Sequence, residues 1–365
     1  MINLSFFPSR RLAFYMVRLF LTRSLAVLLA LVLILMTLDL LGESGKILAI
    51  PGNSDADLWR YVSLRLPILI SRFLPFSVLL GTLIAFVGLN QHSEVVAMKA
   101  AGLSAHQILA PLVVASIGIA AVLFAFNEGV VVNSTRAVTA WSDNDYKPVA
   151  RSSGVISNVW VMNGDDFIRV AIAGGKPFRA QDITIYDRSG SELQREIQAA
   201  RAIPQPATGD WLLQDVRIYD ANMNAVRRVP ALRAMEGVTQ NQLTLAKVDP
   251  TALDYWTLKK RAAELQAAGR PAEEARAGLA HKITQPLSTL LMPLLAALAA
   301  FGLARSGHVM MRAVVGMALG FAYFMVDNFS LAMGNAGTYP PMVAAWAPFF
   351  LFLLIGETVL IRTEE

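Results

Sequence analysis

The sequence predicts an α-helical polytopic membrane protein: six transmembrane helices, split three and three, with an all-β, jelly-roll-like domain inserted between the halves. Three observations carry this. Of 365 residues, 55% are hydrophobic and only 16% charged, where an ordinary soluble domain has about 25% charged residues. Phe73–Asn90 and Ala100–Asn127 contain no Asp, Glu, Lys or Arg, and each is close to the ~20 apolar residues that cross a bilayer. Between Glu128 and Lys282, by contrast, no membrane-length apolar run occurs, and short β-branched segments alternate with turn signals.

The first span is expected at about Leu12–Leu38. Arg10 and Arg11 precede it and Arg18 and Arg23 lie in its first half, but the apolar run is too long for a signal peptide and lacks a small-x-small cleavage site. It therefore reads as a retained helix. Spans two and three follow at about Leu66–Leu89 and Ile108–Phe126. The last three lie at about Ile283–Ala304, Ala313–Leu331 and Met342–Ile361. Basic residues at the N-terminus, Lys99, Arg305, Arg312 and Arg362 fall on one side, which the positive-inside rule assigns to the cytoplasm. Both termini then face the cytoplasm, and the insert and the 39–65 loop face outward. The expected domains are 1–128 with the first three spans, 129–265 with the β domain, and 266–365 with a connecting helix and the last three spans.

Within the insert, Val155–Val161, Phe167–Ile172 and Ile183–Tyr186 read as strands separated by NGDD, GGKP and DRSG turns. ITIYDRSGSEL at 183–193 echoes VRIYDANMNAV at 216–226, each a strand, Tyr-Asp, a turn and a returning strand. Short strands at this spacing suggest a sandwich or jelly roll. After Asp249-Pro250 the pattern turns helical and leads back to the membrane.

The chemistry is defined mostly by exclusion. There is no cysteine, so thiolate catalysis, Cys-based zinc sites and disulfides are ruled out. HExxH and GxSxG are missing, and GGK at 174–176 lacks the phosphate-loop spacing, so this chain is expected to bind no cofactor. His92, His106, His281 and His308 have no metal-ligand spacing and read as solvated at the membrane boundaries. An intramembrane enzyme using Asp39 or Asp327 finds no second catalytic group at a defined spacing.

Two places invite function. The first is the turn at 92–106, where Ser93 can cap a short helix, Val95, Val96 and Met98 give it an apolar side, and Gly102 can end it. ABC transporter permeases dock their ATPase through such a surface helix, with an acidic residue (here Glu94) and a glycine. The alternative is a plain connecting loop. The second is a set of ionisable residues at membrane depth, where a charge left alone costs about 2.5–3.5 kcal/mol on insertion scales. Asp327 lies about 22 Å above Arg312 along a helix, near the level of Arg72 and Asp39. Arg72 and Asp327 are expected to be able to pair, either as a structural ion pair or as the border of a cavity that meets a charged head group.

FLPFSVLLGTLIAFVGLNQHSEVVAMKAAGLS at 73–104, VWVMNGDDFIRV at 159–170, KITQPLSTLLMPLLAALAAF at 282–301 and GFAYFMVDNF at 320–329 resemble the lipopolysaccharide-export permeases of the LptF/LptG family over essentially the whole chain. VWVMNGDDFIRV with ITIYD looks more like the LptG branch. The resemblance implies a permease in the bacterial inner membrane, its β domain in the periplasm, that extracts lipopolysaccharide from the outer leaflet. The implied partners are an LptF-like permease in a heterodimer, an LptB-like ATPase dimer that uses ATP and Mg, and LptC- and LptA-like periplasmic proteins. It also implies a coupling role for Glu94, with Met98, Lys99 and Gly102 in the same helix. Members often carry lysines near the outer end of span one. Here that region is TLDLLGESGKI, with Glu43 where a base is expected: either Lys46, Arg65 and Arg72 take over the anionic contacts, with Asp39 and Asp327 as further head-group or cavity candidates, or the lipid carries fewer phosphates. The competing reading is a membrane scaffold that transmits force to a periplasmic partner without passing lipid.

Overall fold

The computed structural model describes residues 8–147, 156–174, 179–189, 192–205, 209–221, 225–238, 243, 249–267, 271–301 and 309–362. They belong to two compact units: residues 1–45, 54–136 and 250–365 form one, and residues 46–53 and 137–249 the other.

The first unit is helical. α1 (Arg10–Leu48), α2 (Asp55–Gln91), the short α3 (Glu94–Ala100) and α4 (Ala105–Phe126) come first. A π-helical turn at Asn127–Val131 joins α4 to α5 (Val132–Ser142), which runs on into the second unit. α6 (Tyr255–Ala267), α7 (Glu273–Phe301), α8 (Val309–Asn335) and α9 (Pro341–Arg362) complete it. Among the described residues, five helices are long and apolar enough to cross a membrane: α1, α2, α4 continued through α5, α8 and α9. The expected fourth span falls on α7, and its expected end at 302–304, like the Arg305 loop and His308, lies outside the described residues. The third span is expected to end at about Phe126, and the helix that carries it runs on through a π-turn in which the Asn127 and Glu128 side chains have partners.

α7 is the hub, packed against α2, α4, α8 and α9. Its Leu291–Ala297 stretch is fully buried, and Leu79, Phe86, Ile108, Leu112, Tyr323 and Phe352 close around it. Small residues permit this. A β-carbon on Gly356 would lie 2.5 Å from Leu294, and one on Gly334 would lie 2.4 Å from Ala344. α1 turns a stripe inward at every fourth residue, Met16, Phe20, Ser24, Leu28, Val32 and Met36. At its middle it meets α2 so closely that a β-carbon on Gly81 would lie 2.4 Å from the Ser24 Cα. The remaining faces of α1 and α8, including Leu29, Leu33, Leu41, Phe321 and Met325, are apolar and exposed, as lipid-facing surfaces are.

Among the described residues, the second unit holds one antiparallel sheet of six strands in chain order: β1 (Ile156–Asn163), β2 (Asp166–Gly174), β3 (Arg179–Ser189), β4 (Glu192–Gln205), β5 (Asp210–Asp220) and β6 (Ala225–Ala234). The echoed ITIYD and VRIYD segments each close a strand that returns as the next, β3 into β4 and β5 into β6. Val155, at the start of the first expected strand, lies outside the described residues.

A line of irregularity crosses the sheet. Ile183 pairs with Ala199 and Gln181 with Arg201, while Ala199 pairs with Val216 and Arg201 with Gln214. Asp182, Ala200 and Asp215 lie on the line between these pairs, and the two aspartates have φ of 50° and 52°. Buried residues therefore step by three across the line (Ala180 to Ile183, Ala199 to Ala202, Leu213 to Val216) where a regular strand steps by two. A left-handed residue in each of two strands turns the inward-outward alternation over at this line while the pairing register is kept. The apolar face is filled: Val170, Ala202, Leu213 and Val216 are inaccessible, and Trp211 and Leu243 pack with them. At the foot of this unit the Asn53 amide donates to the carbonyls of Ile47 and Tyr146, and Trp141 Nε1 donates to the same Tyr146 carbonyl.

Candidate functional site

The turn between α2 and α4 is built by the backbone. α3 ends in a Schellman arrangement: the Leu103 N–H donates to the Met98 carbonyl, the Gly102 N–H donates to the Lys99 carbonyl, and Gly102 sits at φ +85°. Ser104 then opens α4 with a capping box, its hydroxyl accepting from the Gln107 N–H and the Gln107 side chain accepting from the Ser104 N–H. Ser93 precedes α3 but makes no side-chain cap bond, because its backbone is left-handed (φ 57°) and does not present the hydroxyl to the helix. Val95 and Met98 are buried in the helical core, while Val96, Lys99 and Gly102 face outward. Glu94 is half-buried, and the Tyr15 hydroxyl of α1 reaches both its oxygens at 3.0 and 3.2 Å. Beside this turn, His106 Nε2 lies 3.3 Å from Glu357 of α9. The four coupling candidates thus divide, with Met98 as the anchor and Glu94, Lys99 and Gly102 on the accessible side.

The polar residues at membrane depth form separate groups rather than one cluster. Asp39 of α1 accepts a two-pronged contact from Arg65 (Nε at 2.9 Å, Nη2 at 3.0 Å) and a 2.7 Å bond from the Tyr61 hydroxyl. Arg72 is exposed and adds its charge within electrostatic reach of Asp39. Lys46 lies in the last turn of α1. Asp327 does not pair with Arg72. Its carboxylate is buried against His281 Nε2 at 3.2 Å, because α8 turns Asp327 toward α7. α2 turns Ser71 inward and leaves Arg72 on its outer side.

Sequence reasoning missed a third group. The Ser71 hydroxyl donates to Asn127 Oδ1 at 2.6 Å, and the Asn127 amide donates to Gln285 Oε1 at 3.0 Å. Next to it, Lys282 Nζ donates to Glu128 Oε1 at 2.8 Å, and the Tyr255 backbone N–H donates to the other Glu128 oxygen. Both charged side chains are largely buried, so each depends on the other for its hydration to be replaced. One signal was present: His281, Gln285 and Ser288 recur at four- and three-residue spacing, a polar stripe along an apolar helix. The π-turn that aims Asn127 and Glu128 had none.

Residues 14–362 match the family model described as lipopolysaccharide export system permease LptF/LptG. The chain belongs to that family. It is 26% identical over 312 residues to the lipopolysaccharide export system permease protein LptG of Escherichia coli K12, covering 83% of this chain and 84% of that protein. Against the LptG protein of Haemophilus influenzae it is 26% identical over 332 residues, covering 86% and 89%. The exposed apolar sides of α1 and α8 have the chemistry of a membrane face, as an export permease requires.

Proposed function

We propose that this chain is the LptG-type permease subunit of an exporter that lifts lipopolysaccharide out of the outer leaflet of the inner membrane. The observation that carries the reading is the family match over residues 14–362, with LptG proteins as relatives across more than four-fifths of the chain. In this reading the chain has six spans with α7 as the fourth, both termini in the cytoplasm, and its β unit in the periplasm as a jelly-roll-like module. It pairs with an LptF-like permease. An LptB-like ATPase dimer binds ATP and Mg, and this subunit binds no cofactor. Glu94 takes the ATPase contact on a helix whose Val95 and Met98 are rooted in the core, so a push on α3 reaches α2 and α4 as a rigid displacement. Arg72, exposed at the outer level, offers positive charge to an anionic head group, and Arg65 joins it only where the lipid displaces Asp39 from its two-pronged contact; Lys46 is a further candidate. LptC- and LptA-like proteins receive the lipid from the β unit.

A second reading, a scaffold that passes no lipid, draws on one observation: the interior of the described sheet is filled by side chains. The export reading requires that sheet to open to admit acyl chains.

Co-purification with the candidate ATPase and partner permease, followed by lipid analysis of the extract, separates the readings. Wild type is expected to bring down the ATPase with bound lipopolysaccharide, and Glu94→Lys to lose the ATPase. A wild-type complex that holds the ATPase but no lipid supports the scaffold. Binding to neither overturns both.

A further inference from the structure

We infer that the outer face of α6 is a binding surface for the phosphate-bearing head group of an anionic glycerophospholipid, separate from any passage used by the exported lipid. The inference rests on reading the chain as a membrane permease and adds a contact that the transport reading does not use.

α4 runs from Ala105 to Phe126, 22 residues, or about 33 Å of helix, which matches a hydrocarbon layer of about 30 Å. Glu128 lies two residues beyond Phe126, so its carboxylate stands where the hydrocarbon ends on the far side of the membrane from α3. The Tyr255 N–H donates to that carboxylate, which puts the first turn of α6 at the same level. Lys282, bonded to the other Glu128 oxygen, marks the same boundary on α7, whose apolar stretch starts at Ile283.

The face presented there suits an interface. Leu258, Ala262 and Leu265, at four- and three-residue spacing, are buried in the unit. On the outside Trp256 is 73% exposed, and Lys259 Nζ sits 5.7 Å over its ring. Lys260 is exposed. It lines an open depression of about 460 Å³ together with Trp256, Thr257, Arg261 and Glu264. Arg261 is engaged with Glu264 at 3.0 Å, which leaves the positive charge of Lys259 and Lys260 as the excess of this face. A tryptophan flanked by long cationic side chains puts its ring among glycerol groups while the ammonium heads reach phosphate oxygens. Trp59, 75% exposed in the first turns of α2 and followed by Arg60, repeats the pairing of aromatic and base. A zwitterionic head group would satisfy the ring but leave the charge excess uncompensated, so the surface fits an anionic lipid.

The permease, held in nanodiscs of phosphatidylcholine alone or of an equimolar mixture with phosphatidylglycerol, is treated with an amine-acetylating reagent and read by peptide mass spectrometry. Acetylation of Lys259 and Lys260, relative to Lys147 of the other unit, is expected to slow several-fold in the mixture and to recover at high salt. Lys259→Glu/Lys260→Glu permease is expected to retain several-fold less phosphatidylglycerol when extracted from the mixed discs. Equal acetylation in both discs overturns the inference. Protection that appears only when lipopolysaccharide is added to phosphatidylcholine discs also overturns it and assigns the face to the exported lipid. A chain that does not insert into discs at all overturns the permease reading itself, so the two failures are distinct.

Discussion

The Tyr15 hydroxyl of α1 shares its proton between the two carboxylate oxygens of Glu94, at 3.0 and 3.2 Å, and so ties α3 to the first span. If Glu94 is the group that engages the ATPase, Tyr15 competes with that partner for the carboxylate. Tyr15→Phe is expected to tighten ATPase association up to about tenfold, since a hydrogen bond of this kind contributes about 0.5–1.5 kcal/mol. Titration of the purified permease complex with labelled ATPase measures it. Unchanged or weaker binding would show that Tyr15 does not compete for Glu94.

The buried pair of Glu128 and Lys282 is expected to be fragile to loss of one partner. Glu128→Gln keeps an oxygen for the Tyr255 N–H but strands the lysine charge, a change that typically costs about 3–5 kcal/mol. Glu128→Gln/Lys282→Met is expected to regain most of that loss. Thermal unfolding of both variants in detergent tests the pair, and a double variant no better than the single one would count against it.

Gly81→Ala is expected to destabilise the contact of α1 with α2, because the new methyl would meet the Ser24 backbone at 2.4–2.5 Å. Overpacking of this type costs about 1–3 kcal/mol. Gly88→Ala, in the same helix but with open space, is the control and is expected to be neutral or slightly stabilising. The two melting temperatures should separate in that order.

Asp254 caps α6: its carboxylate accepts the Thr257 N–H at 3.0 Å, and that backbone bond holds its carboxyl below the ordinary value. A depressed carboxyl stabilises the fold above its unfolded pKa of about 3.9 and loses that contribution as pH falls through the lower folded value. Asp254→Ala is therefore expected to cost about 0.5–2 kcal/mol at pH 7. The charge-dependent part of the gap to wild type should shrink as the pH is taken below the ordinary carboxylate range. A gap independent of pH would refute the role of the charge.

A photocrosslinking residue at Ile168, inside the filled face of the sheet, distinguishes lipid passage from scaffolding. Crosslinks to lipopolysaccharide that appear only with ATP and the partner subunits are expected for a sheet that opens during transport. Crosslinks to neighbouring strands alone, under turnover, favour the scaffold.

How far the sequence could be read depended on the range of the interaction. The long apolar runs announced α1, α2, α4, α8 and α9, because the need to satisfy the backbone in lipid leaves helix as the local answer. Gly102 as the end of α3 and the Tyr-Asp hairpin echo were equally local. The partner of Asp327 was not, since its level along α8 follows from counting but its direction depends on how α8 rotates against α7. Asp39 shows the same limit: depth along the helices placed it near Arg72 and Asp327, and packing gave it Arg65. The line at Asp182 and Asp215 was hard to read because each left-handed residue shifts the alternation by a single position, which in a short strand looks like one polar residue too many.

The π-helical turn at Asn127–Val131 works as a phase shifter. A π-turn accommodates one residue more than an α-turn, and each α-helical residue advances the side chain by about 100°. At the start of the turn, Asn127 is aimed at Ser71 and Gln285; beyond it, Arg136 is aimed at the Ala252 carbonyl. Both bearings hold at once only with the surplus residue in place. Removing Gly129 would leave a tidier helix that could keep one set of partners but would point a quarter-turn away from the other.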